Sequence, residues 1–323
     1  MRSMVSLGLA AAALLLAYAQ ADAQATIVRD VRVAINCTSY PCTAARNLET
    51  GEALIERFRE TSGTTSQAVE AMSWLGRAAL AVNQLERAYN YAAETHTLAV
   101  DLLKTRKLAD DASLELALGA AIETQGLVRA AQGQRSDAVY FLRREAEMYR
   151  DTPIHKRIQK NINVLSLAGQ PAPALATSSA LDTPAPSLDR LKGKVVVLFF
   201  WAHWCSDCKA QAPILATLLD KYRSAGLTIV APTQLFGYTL NRAPATPDAE
   251  LQHIIRTRDE YYPFLRGEAV PVSDVNHTRY GVSTTPTITI VDRQGIVRLY
   301  RPGRMTLQEL EAAVRPLLAE GKG

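Results

Sequence analysis

Past its first two dozen residues, the 323-residue chain has no apolar run long enough to cross a bilayer, a span that takes about 20 consecutive apolar residues. It has no basic run either. Lysine and arginine (36) exceed aspartate and glutamate (32) only slightly and are dispersed along the chain, which excludes the concentrated positive surface that nucleic acid binding requires. Strand signals are nearly absent between Ala44 and Leu167. Cysteine is scarce: Cys37, Cys42, Cys205 and Cys208 are the whole set of four. Neither pair has the second ligand pair that a structural zinc site normally takes, and no cofactor is implied. The PxxxTxxC arrangement of thiol peroxidases is also missing.

The chain opens with Arg2, an apolar run from about Val5 to Tyr18 and then Ala21-Asp22-Ala23, the order of a secretory signal peptide with its small-residue cleavage site. The expectation is cleavage after Ala23 and an exported, soluble, periplasmic or extracellular protein, where disulfides persist. At 48% hydrophobic, the remaining residues can support two ordinary domains. Four prolines in "GQPAPALATSSALDTPAPS" place the boundary near Leu167 to Pro173. The expected organisation is a signal peptide over 1–23, an N-terminal segment over 24–44, an all-α helical-hairpin domain over 45–167 and an α/β domain over 168–323.

In the first half, Val69, Met72, Leu75, Ala79, Val82 and Leu85 recur at three- and four-residue steps. They predict one helix face, beginning near Thr64 with Gln67 completing a capping box. A second period runs from Leu114 to Ala131; Gly133 stops it, and Ser136 is placed to cap a further helix carrying Val139, Leu142 and Met148. Gly76 and Ala88, like Gly126 and Ala138, stand twelve residues apart across expected helix turns. That spacing resembles a tetratricopeptide hairpin, although the two units do not keep the 34-residue period. Such a domain either binds a protein partner or serves as a scaffold or dimerisation unit.

Cys37 and Cys42 lie in "NCTSYPCTAA". In an exported protein the default for such a pair is a local structural disulfide; a second redox pair, a metal site and free thiols are the alternatives.

Cys205 and Cys208 lie in "WAHWCSDCKAQAP". Before them, "GKVVVLFFWA" is a continuous apolar, β-branched run, as in a strand buried on both faces. After them, Ile214, Leu215, Leu218, Leu219 and Tyr222 keep helical spacing up to Gly226. Cys205 therefore falls at a strand-to-helix turn, where free amides and the helix dipole favour a thiolate. Cys208, one turn further in, is placed to resolve a mixed disulfide. Downstream, "GLTIVAP" reads as a strand and Asp248 as the cap of a helix reaching about Tyr262. "TITIVDRQGIVRLYRPG" reads as a hairpin and "TLQELEAAVRPLLAE" as a closing helix. A β-α-β half followed by a β-β-α half is the thioredoxin fold.

Over this half, "GQPAP", "LKGKVVVLFFWAHWC", the CxxC, Pro213, "RYGVSTTPT" and "VDRQGIVRLYRPG" resemble the thioredoxin-like disulfide reductases of the TlpA/ResA type. The resemblance implies an exported thiol-disulfide oxidoreductase acting on protein disulfides, with a membrane thiol transporter as electron donor. It implies Cys205 as nucleophile, Cys208 as resolving thiol, a cis peptide before Pro286 facing the cysteines, and a Thr285 backbone left free for a substrate strand. Trp204, beside the first cysteine, belongs to the same site.

Three departures accompany it. Asp207 stands where such proteins commonly carry proline, Gln211 where many carry glutamate, and Phe199 where thioredoxin has its buried aspartate. Either Asp207, or a water it orders, accepts the Cys208 proton, or Asp207 is a solvated aspartate at the helix N-terminus; His203 either tunes the thiolate or points to solvent. Tyr261, Tyr262 and Phe264 lie in an extra segment, Thr233 to Val270, longer than a minimal thioredoxin needs, and either frame a partner site or pack a crossover helix. Copper-delivery proteins of related fold use CxxxC and a distal histidine; His277 is available, but the cysteine spacing differs. The non-enzymatic alternative is a partner-binding or redox-sensing protein that works through its helical half.

Overall fold

The computed structural model describes residues 26–36, 44–182 and 184–319. Cys37, Cys42 and the expected signal peptide lie outside them. Two compact units form, the first ending at Ile154 and the second beginning at His155.

The first unit is helical: α1 (26–35), α2 (Ala44–Ser62), α3 (Ser66–Ala81), α4 (Leu85–Leu102), α5 (Ala112–Ala131) and α6 (Arg135–Met148). Val69, Met72, Leu75 and Ala79 form the buried face of α3, as their spacing requires. The cap is Thr65, whose hydroxyl accepts from the Ala68 amide at 3.2 Å, one residue later than expected. The periodic run is also two helices rather than one, because Asn83 adopts φ 58° and turns the chain between α3 and α4. Val82 is consequently 44% exposed and Leu85 opens α4. In α6 the expected Ser136 cap lies inside the helix; the capping residue is Gln134, with no side-chain cap bond. Met148 is exposed, and the buried stripe is Ala138, Phe141, Leu142, Glu145 and Ala146.

Small residues do let these helices approach. A Cβ on Gly76 would lie 3.5 Å from the Ala88 carbonyl oxygen, and one on Gly126 would lie 2.8 Å from Leu142. Gly126 thus packs under Leu142 rather than Ala138. No tetratricopeptide identity follows from these contacts.

The second unit opens with α7 (His155–Ser166), which the sequence had assigned to the helical half. Its core is a four-stranded sheet in the order β3-β2-β5-β6, built from β2 (Val195–Phe200), β3 (Leu227–Val230), β5 (Thr287–Val291) and β6 (Val297–Pro302). Short β1 (Ala180–Leu181) and β4 (Val270–Pro271) pair separately. Strand β2 lies parallel to β3 and antiparallel to β5, and β5 runs antiparallel to β6. Every residue of β2 is buried, each such side chain stabilising the fold by roughly 1.5–3 kcal/mol relative to exposure. Helices α8 (Ser206–Tyr222), α9 (Pro247–Tyr261), α10 (Asp274–Arg279) and α11 (Leu307–Ala319) complete the thioredoxin fold. Helix α9 is capped by Thr246, which accepts from the Ala249 amide, and not by Asp248. The β5-β6 turn is held by Asp292, whose Oδ1 accepts from the amides of Gln294 and Ile296 at 2.9 and 2.8 Å. No helix among the described residues is long and apolar enough to cross a membrane.

His277 of α10 is 1% exposed. It packs edge-on against Phe200 at 5.6 Å and lies 6.4 Å from the Phe236 ring. Among the described residues no group of three or more His, Cys, Asp or Glu side chains converges there or elsewhere. Burial first, and the Lys156 charge second, push its pKa down to about 4. The unfolded chain therefore takes up this proton first, near the ordinary value of about 6.5. The stability tied to neutral His277 is full above that pH and is lost as pH falls through about 4. The loss amounts to about 3 kcal/mol. His203 and His253 are shifted in the same direction, in both cases chiefly by burial. Urea midpoints at pH 7.5 and 4.5 should show His277→Leu losing less on acidification than the wild type; an equal loss would contradict the burial argument.

Candidate functional site

The turn after β2 carries the site because the apolar strand ends at Phe200 and the next residues bind it to the adjoining strand. Trp201 is fully buried; its indole N–H donates to the Ala231 carbonyl at 3.0 Å, while its own carbonyl accepts from the Thr233 hydroxyl at 2.9 Å. The chain then turns into α8 with Cys205 as its N-cap. The Cys208 amide N–H donates to Cys205 Sγ at 3.0 Å, one of the free helix N-terminal amides that favour negative charge. The two cysteines are joined as a disulfide. Cys205 keeps 4% of its surface exposed and Cys208 none, so Cys205 is the less buried of the two.

Across from it, the Thr285–Pro286 peptide is cis. The Thr285 carbonyl oxygen lies 3.4 Å from Cys205 Sγ, and among the described residues no backbone group pairs with the Thr285 amide. Cys205, Cys208, Thr285 and Pro286 are thus brought together. Trp204 stands beside them, 51% exposed. Asp207 does not join them: its side chain is 65% exposed and lies 3.8 Å from Arg304 Nη1.

Gln211 is fully buried. Its Nε2 donates to the Met305 carbonyl at 3.0 Å, and its Oε1 accepts from the Met305 amide at 2.8 Å. An ionised glutamate at this position could only accept, so the amide is suited to locking α8 against the segment before α11. Phe199 is likewise fully buried, packed against Tyr262 at 6.0 Å between ring centres.

The largest difference from the sequence reading is His203, which is 2% exposed rather than solvated. Its Nε2 lies 3.2 Å from Glu250 Oε1 on α9, with both side chains buried. Glu250 also accepts from the amides of Phe236 and Gly237 at 2.6 and 2.7 Å. Burial first, then the neighbouring His253, holds the His203 pKa below its usual value, while Glu250 acts in the opposite sense. Glu250 thereby ties the extra segment to the cysteine turn. Its only mark in the sequence is its place in the first turn of an acid-rich helix start. The aromatic trio divides: Tyr262 is buried against Trp201 at 4.7 Å, Phe264 packs on the core, and Tyr261 is 40% exposed.

Residues 168–300 match the model of the AhpC/TSA family. The chain is 29% identical over 143 residues to the thioredoxin-like protein YneN of Bacillus subtilis, covering 44% of this chain and 76% of that protein. It is 29% identical over 155 residues to the thiol-disulfide oxidoreductase ResA of Oceanobacillus iheyensis, covering 47% and 73%. Among solved structures, a protein described as thiol:disulfide interchange protein DsbE from Chlorobium tepidum aligns with TM-score 0.38 and 26% identity, over 47% of this chain and 98% of that one. By its sequence relatives and its cysteine turn, the C-terminal half is a thioredoxin-fold thiol-disulfide oxidoreductase domain related to the ResA proteins.

Proposed function

We propose that the chain is an exported reductase of protein disulfides in which Cys205 is the nucleophile and Cys208 the resolving thiol. The observation that carries this reading is the asymmetry of the pair: Cys205 sits at the α8 N-cap, accepts an amide N–H, faces Thr285 and is the less buried of the two, while Cys208 is fully buried. The Cys205 thiolate attacks one sulfur of a substrate disulfide, forming a mixed disulfide and releasing the other substrate sulfur as a thiolate. Cys208, deprotonated, then attacks Cys205 Sγ; the second substrate thiolate leaves and the Cys205–Cys208 disulfide forms, so two electrons have passed to the substrate. Thr285 offers its unpaired amide to a substrate strand, with Pro286 shaping that edge. A dithiol donor, supplied by a membrane thiol transporter in this reading, restores the reduced pair. Dithiol-dependent insulin reduction by the purified protein tests it: turnover above the dithiol background supports the reading, and none contradicts it. The helical half is proposed to bind a partner or to dimerise, and the Cys37–Cys42 pair to be a local structural disulfide.

The reduction potential is expected nearer thioredoxin's, about −270 mV, than the strong oxidant's, about −120 mV. Asp207 opposes the Cys205 thiolate, so its removal stabilises the reduced form and raises the potential. Because its side chain is 65% exposed, the effect should be that of a surface charge, below about 1 kcal/mol, or below about 20 mV for a two-electron couple. Glutathione equilibration of Asp207→Asn that gave a downward shift, or a rise well beyond this, would contradict the placement of Asp207.

A further inference from the structure

Beside the cysteine turn, the second unit has a cavity of about 630 Å³ whose wall includes Trp204, Lys209, Tyr238, Arg242, Arg256 and Glu260. Two of these flank Cys205 in the chain: Trp204 precedes it, and Lys209 lies in the first turns of α8. The opposite wall comes from the extra segment and α9, which the buried Glu250 fastens to the cysteine turn through His203.

The charge of this cavity is lopsided. Lys209, Arg242 and Arg256 all face it, and among the described residues none of the three has a carboxylate within 4.0 Å. The nearby acids are engaged elsewhere. Glu250 is taken by His203 and two amides, Asp207 faces Arg304, and Asp259 pairs with Arg258 and Arg266. Glu260, the carboxylate in the wall, interacts with the Tyr261 hydroxyl and raises its pKa. The positive field reaches His253, whose pKa is lowered first by burial and then by Arg256 and Lys209.

The arginine contributed by the extra segment is held in an uncommon backbone conformation. Asn241 and Arg242 have φ 55° and 58° in a tight turn closed by the Thr239 amide donating to the Ala243 carbonyl at 2.9 Å. Asparagine tolerates this region, but arginine occupies it at a cost of about 1–2 kcal/mol. That turn sets the Arg242 guanidinium 5.9 Å over the Tyr238 ring, as Lys209 Nζ lies 3.9 Å over Tyr261. Both cations thus lie over aromatic rings that line the same cavity. Three cations line the cavity against the single carboxylate of Glu260, and among the described residues none of the three is ion-paired, so an incoming carboxylate meets a net positive wall.

We infer that this cavity is a specificity subsite for an acidic residue, aspartate or glutamate, that flanks the attacked disulfide in a protein substrate. The inference rests on the disulfide-reductase reading above. The carboxylate sits among Lys209, Arg242 and Arg256, the neighbouring substrate residue lies on Trp204, and the disulfide is delivered to Cys205. The exchange step is unchanged; the subsite acts on encounter and orientation, and so on kcat/KM.

The test uses synthetic peptides with one intramolecular disulfide, differing only in a Glu or Lys next to a cysteine. Their reduction by the reduced full-length protein is followed by tryptophan fluorescence and normalised to their reduction by dithiothreitol. The Glu peptide should be preferred by about tenfold in kcat/KM at low salt, a ratio typical of a few partly screened charge pairs. Arg256→Glu, at an exposed position, should erase or invert the ratio. A ratio near one, or one that Arg256→Glu leaves unmoved, would overturn the subsite. A second measurement needs no exchange chemistry: the same peptides with serine for cysteine are titrated into the oxidised protein. Tighter binding of the Glu peptide, weakened by Arg256→Glu, supports the subsite even if no peptide is reduced, in which case the reductase reading fails alone. Equal binding together with normal reduction sinks the subsite and leaves that reading standing.

Discussion

Cys208→Ser should accumulate exported proteins as covalent complexes that a reductant releases, whereas Cys205→Ser should trap almost nothing. In the first variant Cys205 still sits at the α8 N-cap with the residue-208 amide beside its sulfur, so it attacks and forms the mixed disulfide. No thiol remains in the adjoining turn to release it. In the second variant the surviving thiol, Cys208, is fully buried and has neither the accessibility nor the cap position that lowers a thiol pKa. Both variants should drop insulin reduction to the uncatalysed background, so it is the trapping and not the loss of turnover that separates their roles. Non-reducing gels of extracts expressing each variant provide the comparison. Equal trapping by both, or trapping only by Cys205→Ser, would reverse the assignment.

Gly281→Ala should destabilise the second unit by about 2–5 kcal/mol. Gly281 has φ 60°, which costs an alanine about 1–2 kcal/mol. An added Cβ would fall 2.3 Å from the Lys160 backbone nitrogen and 2.6 Å from the Gln159 carbonyl carbon. These are backbone atoms of α7 that cannot swing aside, and overpacking of this kind adds about 1–3 kcal/mol. Gly267→Ala is the matched control, since Gly267 has φ 84° with nothing within 4 Å of its would-be Cβ; it should lose only the conformational part. Urea unfolding of the two variants that gave equal losses would mean that α7 is not held against the loop before Pro286.

That contact also explains why the second unit begins at His155, ahead of the proline-rich stretch. The proline-rich stretch after Leu167 looks like a linker, and α7 before it has the same amphipathic period as the helices of the first half. Its true neighbours, α10 and the Gly281 loop, lie more than a hundred residues later, and local pattern carries no record of them. By contrast, β2, α8 and the β5-β6 hairpin were legible because their signals are local: an unbroken apolar run, a helical period and an Asp292-to-Gly295 turn. The cysteines could be placed at a helix start for the same reason, and the cis peptide before Pro286 came through family resemblance.

The partners of His203 were not legible. A histidine between two tryptophans on a turn has no periodicity to report, and its burial depends on Glu250 arriving from α9. The cavity cations are hidden in the same way: Lys209, Arg242 and Arg256 read singly as ordinary surface charges and become a group only when the extra segment folds over the cysteine turn. Asp207 stands in solvent at the start of α8, its side chain 65% exposed and 3.8 Å from Arg304 Nη1, a placement that local sequence leaves open because Arg304 lies almost a hundred residues away.

The most direct test of the account is the pH dependence of alkylation of the fully reduced protein, mapped peptide by peptide. Cys205 should react well ahead of Cys208 near neutral pH, with an apparent pKa clearly below the ordinary thiol value of about 8.5. Faster labelling of Cys208, or a Cys205 that titrates at or above that value, would contradict it.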